Sequence, residues 1–488
     1  MPRHSLRTAA RAVGLVFALA LPVALPPVSA GAQGPTAAVS ASPLTLWSPD
    51  RIVTYAYGGR VWTDLGLRVI AQSQPFEIWS TRTSYADPVR AVWRSPSGDV
   101  ALPGWATRDF SGLRAFIKLS LTRMDSGQVT LLSRKACFSG WAERVRPDAP
   151  PRSPYPRNGC WSNPYSLGSV QGVEAGWAAP VLSQERPMRL RPGRYRVTAA
   201  IAPAYAQALG ISAADATRSL VLVVKRQQVV FPEPAPSPGI ARPAAQEPSG
   251  TGSRRAPVSG PVPDLRSLPA WGIKMAGNGN YLQFSATVWN AGDSPLVVDG
   301  FRREGEDTMD AYQYFFDAAG NQTGYQLVGE MHWDAKPTHQ HWHFEDFARY
   351  ALLDAGQAEA VRSHKEAFCL ANTDAVDLTV PNAAWNPENT DLNTSCGDLG
   401  SLSIREVLAS GWGDTYAQFR AGQSFDLRGL PNGTYYVAVI ANPANRLVES
   451  STDNNMSLRQ VVIRGTENNR TVTVPQVGLV VEPAFLGR

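Results

Sequence analysis

The feature that most constrains this chain is a cluster of histidines in the stretch THQHWHFEDFARY, residues 338–350. His339, His341 and His343 occupy alternate positions, and with His332 they make up four of the six histidines in 488 residues. Side chains of a β-strand alternate between its two faces, so an extended backbone would place these three imidazoles on one side. A helix would instead oppose His341 to the other two. The interleaved aromatic residues favour a partly buried strand.

Three neutral imidazoles on one side of a strand offer nitrogen ligands suited to Cu(II), Zn(II), Ni(II) or Fe(II). Same-face residues of an ideal strand are about 6.6 to 7 Å apart. All three can therefore bind one ion only where the strand twists or bulges. The alternative is that the histidines are hydrogen-bonded on a solvated face, which is the weaker interpretation for three histidines in five residues. We predict a metal site.

The amino terminus has the pattern of a cleaved secretory signal, predicted over residues 1–32. Arg3, Arg7 and Arg11 precede an apolar run at 13–25, and small residues follow it. That run is too short to span a bilayer comfortably, and no later stretch approaches the necessary length. We therefore expect an exported, secreted protein without a membrane span.

Four cysteines fit disulfide formation in the oxidising compartment expected of an exported protein. They fall into two local pairs along the chain. Of three possible connectivities, the simplest joins Cys137 to Cys160 and Cys369 to Cys396. Each bridge would contribute about 2 to 4 kcal/mol of stability. Free buried thiols are the alternative, and the absence of CxxC spacing argues against a metal role.

Composition along the chain predicts two domains and a linker. Residues 43–231 contain short aromatic and β-branched runs separated by turn residues, which is typical of a β-sandwich, with one short helix expected in 205–216. Residues 232–262 are rich in proline and have almost no bulky apolar side chain, so they are predicted to be a linker. No catalytic constellation identifies the role of the first domain.

The second domain, predicted over residues 263–465, is again rich in strand-forming runs. Short helices are expected there at 356–365 and 401–410, and residues 466–488 are treated as a tail. The predicted fold class is therefore all-β, with two β-sandwich-like domains and a few short helices in the second.

An internal repeat supports a similar ending for both domains. PGRYRV at 192–197 parallels NGTYYV at 432–437, and each is followed by an Ile, a Pro and a final apolar strand. We expect the same Greek-key corner in both places, with Tyr195 and Tyr435 as packing residues.

The formal net charge is +5, but the basic residues are scattered along the chain. A nucleic-acid-binding surface would require clustering on one face, so the charge pattern argues against nucleic acid as a partner.

Two motifs follow the histidine strand, HKEAFCL at 364–370 and GDTY at 413–416. Together with HQHWHFEDFARY, and with the run PNGTYYV, NP, VES and NN near the carboxyl terminus, they occur in the order found in the lysyl oxidase family. The carboxyl-terminal domain, from about residue 263 to 464, therefore resembles that family.

The resemblance implies specific roles. His339, His341 and His343 match the ligands of Cu(II). Lys365 and Tyr416 match the two residues that crosslink into lysine tyrosylquinone, the built-in cofactor of the family. These residue types suit that chemistry, because an oxidised tyrosine ring accepts attack by a neutral lysine amine.

Two further features follow from the resemblance. Asp414 matches the position proposed for the base that removes the substrate α-proton, although a turn or cap residue would fit the same position. A calcium site is also implied, and oxygen-only ligands suit Ca2+. Its matching positions are Asp264, the carbonyl of Leu265, Glu449, Asn454 and Asn455.

The function implied is a secreted copper- and quinone-dependent oxidase that converts primary amines, with peptidyl lysine as one candidate, to aldehydes. O2 is the co-substrate, and ammonia and hydrogen peroxide are released. A rival interpretation is an exported copper-binding or adhesive protein without oxidase activity. A zinc hydrolase is disfavoured because no HExxH-type base accompanies the strand. His332 is expected to be a second-layer or substrate-side residue.

Overall fold

The computed structural model describes residues 42–157, 159–160, 163–182, 187–226, 260–277, 279–336, 340–363, 365, 367–387, 390–420 and 422–483. The predicted signal segment, nearly all of the predicted linker, and His339 lie outside these residues. We refer to 42–226 as the amino-terminal half and to 260–483 as the carboxyl-terminal half.

The amino-terminal half consists of short strands and two short helices. In chain order they are β1 Thr45–Trp47, β2 Arg51–Tyr57, β3 Arg60–Val61, β4 Arg68–Ala71, β5 Phe76–Thr81, β6 Arg90–Ser95, β7 Gly98–Ala101, β8 Leu113–Arg123, β9 Val129–Ala136, β10 Glu143–Arg144, β11 Gly168–Val173, β12 Trp177–Pro180, β13 Met188–Arg189, β14 Gly193–Ile201, α1 Pro203–Ala208, α2 Ala213–Ala216 and β15 Thr217–Arg226.

The carboxyl-terminal half contains strands alone among its described residues. They are β16 Leu265–Ser267, β17 Trp271–Met275, β18 Tyr281–Asn290, β19 Leu296–Arg302, β20 Thr308–Phe316, β21 Gln322–Asp334, β22 His341–Glu345, β23 Ala348–Leu353, β24 Glu359–Arg362, β25 Ala367–Phe368, β26 Asp374–Ala375, β27 Ser403–Leu408, β28 Trp412–Tyr416, β29 Ser424–Asp426, β30 Gly433–Ala441, β31 Met456–Thr466 and β32 Asn469–Thr473.

Each half is built from three sheets around its own apolar core. In the amino-terminal half the strand orders are β1-β4-β12-β10, β11-β5-β6-β7 and β13-β3-β2-β15-β14-β8-β9. In the carboxyl-terminal half they are β16-β18-β28-β26 with β17 and β29 also on β18, then β25-β22-β21-β20-β19-β27, and β24-β23-β30-β31-β32. Inward-facing side chains of all three sheets form one cluster in each half, because alternation along a strand gives each sheet one apolar face.

The all-β class predicted from the sequence is confirmed, and several predicted runs coincide with strands. For example, the aromatic and β-branched residues of 281–290 form β18, and those of 52–57 lie within β2. The helix expected in 205–216 is present as α1 and α2, of which α2 is capped by the Ser212 hydroxyl accepting from the Asp215 amide.

The prediction of short helices at 356–365 and 401–410 is wrong, because both segments contain strands. Residues 359–362 are β24, which pairs with β23 across a turn in which Asp354 accepts from the amides of Gly356 and Ala358. Residues 403–408 are β27, an edge strand held on β19 by the Asp299–Arg405 ion pair. Pairing with a neighbouring strand overrides the local helical pattern in both segments.

Both repeats form the corner that the sequence predicts. Tyr195 donates its hydroxyl hydrogen bond to the Arg191 carbonyl at 2.7 Å, and Tyr435 donates to the Pro431 carbonyl at 2.6 Å. Each tyrosine is 4% exposed and begins a strand that pairs with the next strand of its half, β14 with β15 and β30 with β31. This is the tyrosine corner of Greek-key sandwiches.

The two halves pack directly on each other. One apolar cluster joins Tyr155 and Val170 to Val297 and Ala375, and a second joins Tyr165 to side chains of the other half. Residues 469–473, which the sequence leaves in a tail, form β32 on β31. Within the described part of the chain, neither helix has the length and apolar character needed to cross a membrane.

The corner predicts a stability effect for the two tyrosine hydroxyls. We expect Tyr195→Phe and Tyr435→Phe each to lower the free energy of unfolding by about 1 kcal/mol, because each variant loses the hydrogen bond of the corner. The measurement is the midpoint of urea unfolding followed by tryptophan fluorescence. Tyr436→Phe, on the opposite face of the same strand, is the matched control. Equal midpoints for Tyr435→Phe and Tyr436→Phe would contradict the assignment.

Candidate active site

The histidine strand begins at His341 as β22 and pairs with β21, a 13-residue strand. His341 and His343 project from the same face, and their Nε2 atoms are 2.9 Å apart. His343 is buried, with 5% of its surface exposed. The structure therefore brings together two of the three predicted ligands, while His339 lies outside the described residues.

The spacing of these two nitrogens fits a shared metal ion. Two ligands at roughly 2.0 to 2.1 Å from one ion and at about a right angle to each other are separated by about 2.9 Å. Neutral imidazole nitrogens suit copper as well as zinc or nickel. The Asp334 carboxylate lies 3.8 Å from His343 Nδ1. A carboxylate at this position raises the basicity of the imidazole and so makes it a better metal ligand.

His332 lies beside the pair of ligands on the same sheet. It is directly opposite His343 in the β21–β22 register, so the two side chains share a face. Its Nε2 is 3.5 Å from carboxylate oxygens of both Glu330 and Glu345, and it is 42% exposed. This position is compatible with the second-layer or substrate-side role predicted for it.

Lys365 lies against the ring of Tyr416. Its Nζ is 4.4 Å from the Tyr416 ring centroid and 4.9 Å from that of Phe368. The ammonium group donates a hydrogen bond to the Ala367 carbonyl at 3.0 Å. Gly422 covers the stem of this lysine, because a Cβ at residue 422 would meet Lys365 Cβ at 3.0 Å. The two residues predicted to crosslink are therefore neighbours.

Burial lowers the pKa of Lys365 from 10.5 to about 8. Desolvation is the largest cause, and it exceeds the opposing effect of Asp414 and Asp334, whose charges raise the pKa. At pH 7 roughly one-tenth of this lysine is then the free amine, far more than for an exposed lysine. A free amine is the nucleophilic form.

Tyr416 is held by its hydroxyl group. The hydroxyl accepts from the Cys369 amide at 3.1 Å and donates to the Cys369 carbonyl at 3.2 Å. Cys369 is joined to Cys396 by a disulfide, and the second predicted bridge, Cys137 to Cys160, is present as well. Burial raises the pKa of Tyr416 well above its usual value, and the acidic side chains nearby act in the same direction.

Asp414 projects from the same face of β28 as Tyr416 and is 3% exposed. Burial raises the pKa of its carboxyl well above the usual value, against the opposing charge of Lys365. Its Oδ2 has no hydrogen-bond partner among the described residues. Burial thus makes this carboxyl take up a proton more readily than an exposed aspartate does.

Two further buried acids surround this pocket, and the sequence analysis missed both. Glu406 is fully buried on β27, its Oε2 accepts from the Leu370 amide at 2.8 Å, and burial raises its pKa well above the usual value. Burial raises the pKa of Asp374 to about 6, while Thr415 and Asn163 donate to its carboxyl. The signal available for Glu406 was an acid among apolar residues in 401–410, the segment for which the sequence predicts a helix.

The residues predicted to bind calcium also meet in the structure. Asn454 Nδ2 is 3.0 and 3.2 Å from the two Asp264 carboxylate oxygens, and Asn455 Nδ2 is 2.8 Å from Glu449 Oε1. The backbone amide of Leu265 donates to Glu449 Oε2 at 2.9 Å.

The side-chain oxygens of Asn454 and Asn455 are buried without a hydrogen-bond partner among the described residues. Unpaired oxygens beside two carboxylates fit a hard cation. One Asp264 oxygen is also engaged by Arg266 at 2.7 Å.

Comparison with known proteins agrees with this geometry. The family model described as lysyl oxidase matches residues 312–473. Lysyl oxidase homolog 4 of Mus musculus is 29% identical over 130 residues, and lysyl oxidase homolog 2 of Homo sapiens is 27% identical over 129 residues. Lysyl oxidase homolog 3B of Danio rerio is 27% identical over 129 residues.

These matches are partial on both sides. Each covers 26% of this chain, and they cover 15%, 15% and 14% of the mouse, human and fish relatives. The matched residues include β22, Lys365, β28 and the corner of the carboxyl-terminal half. The carboxyl-terminal half of this chain therefore contains a lysyl oxidase family domain.

Proposed function

We propose that this protein is a copper-dependent amine oxidase whose organic cofactor, lysine tyrosylquinone, forms from Lys365 and Tyr416. The observation that supports this most directly is the 4.4 Å separation between Lys365 Nζ and the Tyr416 ring centroid in a buried pocket. The lowered pKa of the lysine favours the nucleophilic amine that crosslinking requires. Family membership of residues 312–473 supports an enzyme of lysyl oxidase type.

Copper would be held by His339, His341 and His343, and with O2 it supplies the oxidising chemistry that converts the tyrosine ring to a quinone. Lys365 contributes the free amine that forms the new nitrogen–carbon bond to the ring. Before oxidation, the hydrogen bonds between the Tyr416 hydroxyl and the Cys369 backbone hold the ring beside Lys365. Burial keeps water away from the reacting amine.

Asp414 is proposed as the group that takes the substrate α-proton. Its carboxyl lies on the face of β28 that carries Tyr416, and its raised pKa makes the protonated state stable once the proton has been taken. The net reaction consumes a primary amine, O2 and water, and it releases an aldehyde, ammonia and hydrogen peroxide. Peptidyl lysine is included as a candidate substrate class.

Two accompanying proposals concern location and a second ion. The arginine-flanked apolar run at the amino terminus and the two disulfides support secretion. A calcium ion bound by Asp264, Leu265, Glu449, Asn454 and Asn455 would join the start of the carboxyl-terminal half to the turn before β31. The buried, unpaired oxygens of Asn454 and Asn455 support that assignment.

The rival function, copper binding without oxidase activity, has one observation in its favour. The Tyr416 hydroxyl is engaged on both sides by the Cys369 backbone, and burial disfavours its ionisation. If those hydrogen bonds persist in the copper-loaded protein, the ring would stay unoxidised. The crosslink measurement below separates the two functions.

The first prediction concerns the crosslink itself. In copper-loaded protein matured in air, mass spectrometry of a tryptic digest should find the Lys365 and Tyr416 peptides joined. Lys365→Ala and Tyr416→Phe should abolish both the crosslink and amine-dependent peroxide release, because each removes one of the two bonded groups. Lys118→Ala, an exposed lysine paired with Ser133 in the other half, is the matched control. Copper-loaded wild-type protein without a crosslink would favour the rival.

The second prediction concerns the metal ligands. Loss of a group that hydrogen-bonds a metal ligand typically lowers metal affinity by roughly 10- to 100-fold. His341→Ala and His343→Ala each remove a ligand itself, so each should weaken copper binding by more than that. The measurement is copper stoichiometry after dialysis together with competition against a chelator. His332→Ala should keep full stoichiometry because His332 pairs with Glu330 and Glu345 instead. Unchanged affinity in His341→Ala would exclude β22 as the site.

The third prediction concerns pH. Crosslinking requires free amine, and the free amine of Lys365 becomes more abundant as pH rises through the pKa of about 8. The rate of crosslink formation at constant copper occupancy should therefore increase from about pH 6.5 to about pH 9.5 with a midpoint near 8. Stopped reactions analysed by mass spectrometry give this rate. A rate that falls across that interval would contradict the role of the amine.

A further inference from the structure

The amino-terminal half contacts the strand that carries the proposed cofactor residues. Its segment before β11 runs beside the segment that follows β26. The Leu167 amide donates to the Val376 carbonyl at 2.8 Å, and the Leu378 amide donates to the Gly168 carbonyl at 3.1 Å. Gly168 pairs with Asp377 in a parallel bridge. These bonds fix the segment against the sheet that contains β28.

The side chain of Asn163, in this segment, forms a hydrogen bond with the other half. It is 3% exposed, and its Nδ2 donates to Thr287 Oγ1 at 3.0 Å. Thr287 Oγ1 is in turn 2.7 Å from Thr415 Oγ1. Thr415 lies between Asp414 and Tyr416 on β28, so two hydrogen bonds connect the amino-terminal half to the proposed cofactor strand.

A second connection runs through a buried acid. The side chains of Asn163 and Thr415 both lower the pKa of the Asp374 carboxyl group, and Asp374 is opposite Gly413 in the β26–β28 register. The side-chain oxygen Oδ1 of Asn163 accepts from the Tyr165 backbone amide at 3.0 Å, which fixes the side chain so that its nitrogen points inward. Asn163 therefore bonds to β18 through Thr287 and influences the buried acid of β26, and both strands are neighbours of β28.

An apolar contact seals this polar network from water. Tyr165 is fully buried with Trp289 and Val376 of the other half. The Ser166 hydroxyl also donates to the Ala375 carbonyl at 3.2 Å. Buried hydrogen bonds of this kind are costly to leave unpaired, so the network favours one position of β28.

We propose that Asn163 is a positioning residue for the Lys365–Tyr416 pair, and that the amino-terminal half serves to hold the strand bearing Tyr416 in register for crosslinking. The inference rests on the proposed function, because positioning matters only if the crosslink forms. It assigns a role to a half of the chain that has no catalytic motif of its own.

The size of the effect follows from the geometry of bond formation. Crosslinking needs the amine and the ring carbon in a near-attack arrangement, and a displacement of about 1 Å can slow such a reaction by 10²-fold. Replacing Asn163 with a residue of similar size but without a donor removes the hydrogen bond to Thr287 and the polar group beside Asp374. We expect β28 to shift or loosen, and crosslink formation to slow by about tenfold or more.

The experiment uses the full-length, copper-loaded protein and the variant Asn163→Leu, with Asn163→Ala as a second variant in case leucine prevents folding. Thr107→Val is the matched control, because Thr107 is 6% exposed and its hydroxyl donates to the Val89 carbonyl within the amino-terminal half alone. Two quantities are measured at equal copper occupancy. They are the rate of Lys365–Tyr416 crosslink formation and the rate of amide hydrogen exchange in the peptide that contains 412–416.

The expected result is slower crosslinking and faster exchange in the Asn163 variants, with both rates unchanged in Thr107→Val. Wild-type rates for both quantities in a folded Asn163 variant would overturn the inference. If the wild-type protein forms no crosslink, the proposed function fails. Hydrogen exchange then still decides whether Asn163 holds β28, because that measurement needs no cofactor.

Discussion

Removal of the Lys365 amine from water is the physical constraint on which the rest of this site depends. The aromatic rings beside it favour the charged form, by roughly 0.5 to 2 kcal/mol for such contacts. The fall of its pKa from 10.5 to about 8 corresponds to about 3 kcal/mol in favour of the neutral form. Desolvation therefore exceeds the pull of nearby carboxylates, and the shift is larger than a typical cation–π attraction. A lysine beside Tyr416 becomes a nucleophile because of where the fold places it.

The same burial acts in the opposite direction on the acids of the pocket. Asp414 and Glu406 have pKa values raised well above their usual range, and that of Asp374 rises to about 6. Burial thus favours the neutral form of the amine and of the carboxyl groups alike. A pocket of this kind exchanges protons between its side chains more readily than it holds fixed ion pairs, whose desolvation is costly. Both proposed steps, attack by the Lys365 amine on the ring and removal of the substrate α-proton, require proton transfer.

The two halves of the chain end in the same corner but contribute differently. Tyr195 and Tyr435 each donate to a carbonyl four residues upstream, and each lies in a strand that pairs with the next strand of its half. Only the second half carries the histidine strand and the Lys365–Tyr416 pair. The first half contributes through contact, with Asn163 bonded to Thr287 and, through it, to Thr415 on the strand of Tyr416.

The amino-acid sequence by itself determined the all-β class, the two disulfide pairs, the repeated corner and the shared face of His341 and His343, because each depends on local patterning or on chain-close neighbours. The resemblance of short motifs also indicated the pairing of Lys365 with Tyr416. The tertiary structure alone decided that residues 403–408 form a strand, which buries Glu406, and that Asn163 reaches Thr287 and Asp374. Local periodicity encodes which face a side chain takes. Strand pairing and burial are decided by distant parts of the chain, and burial sets the protonation states on which the chemistry depends.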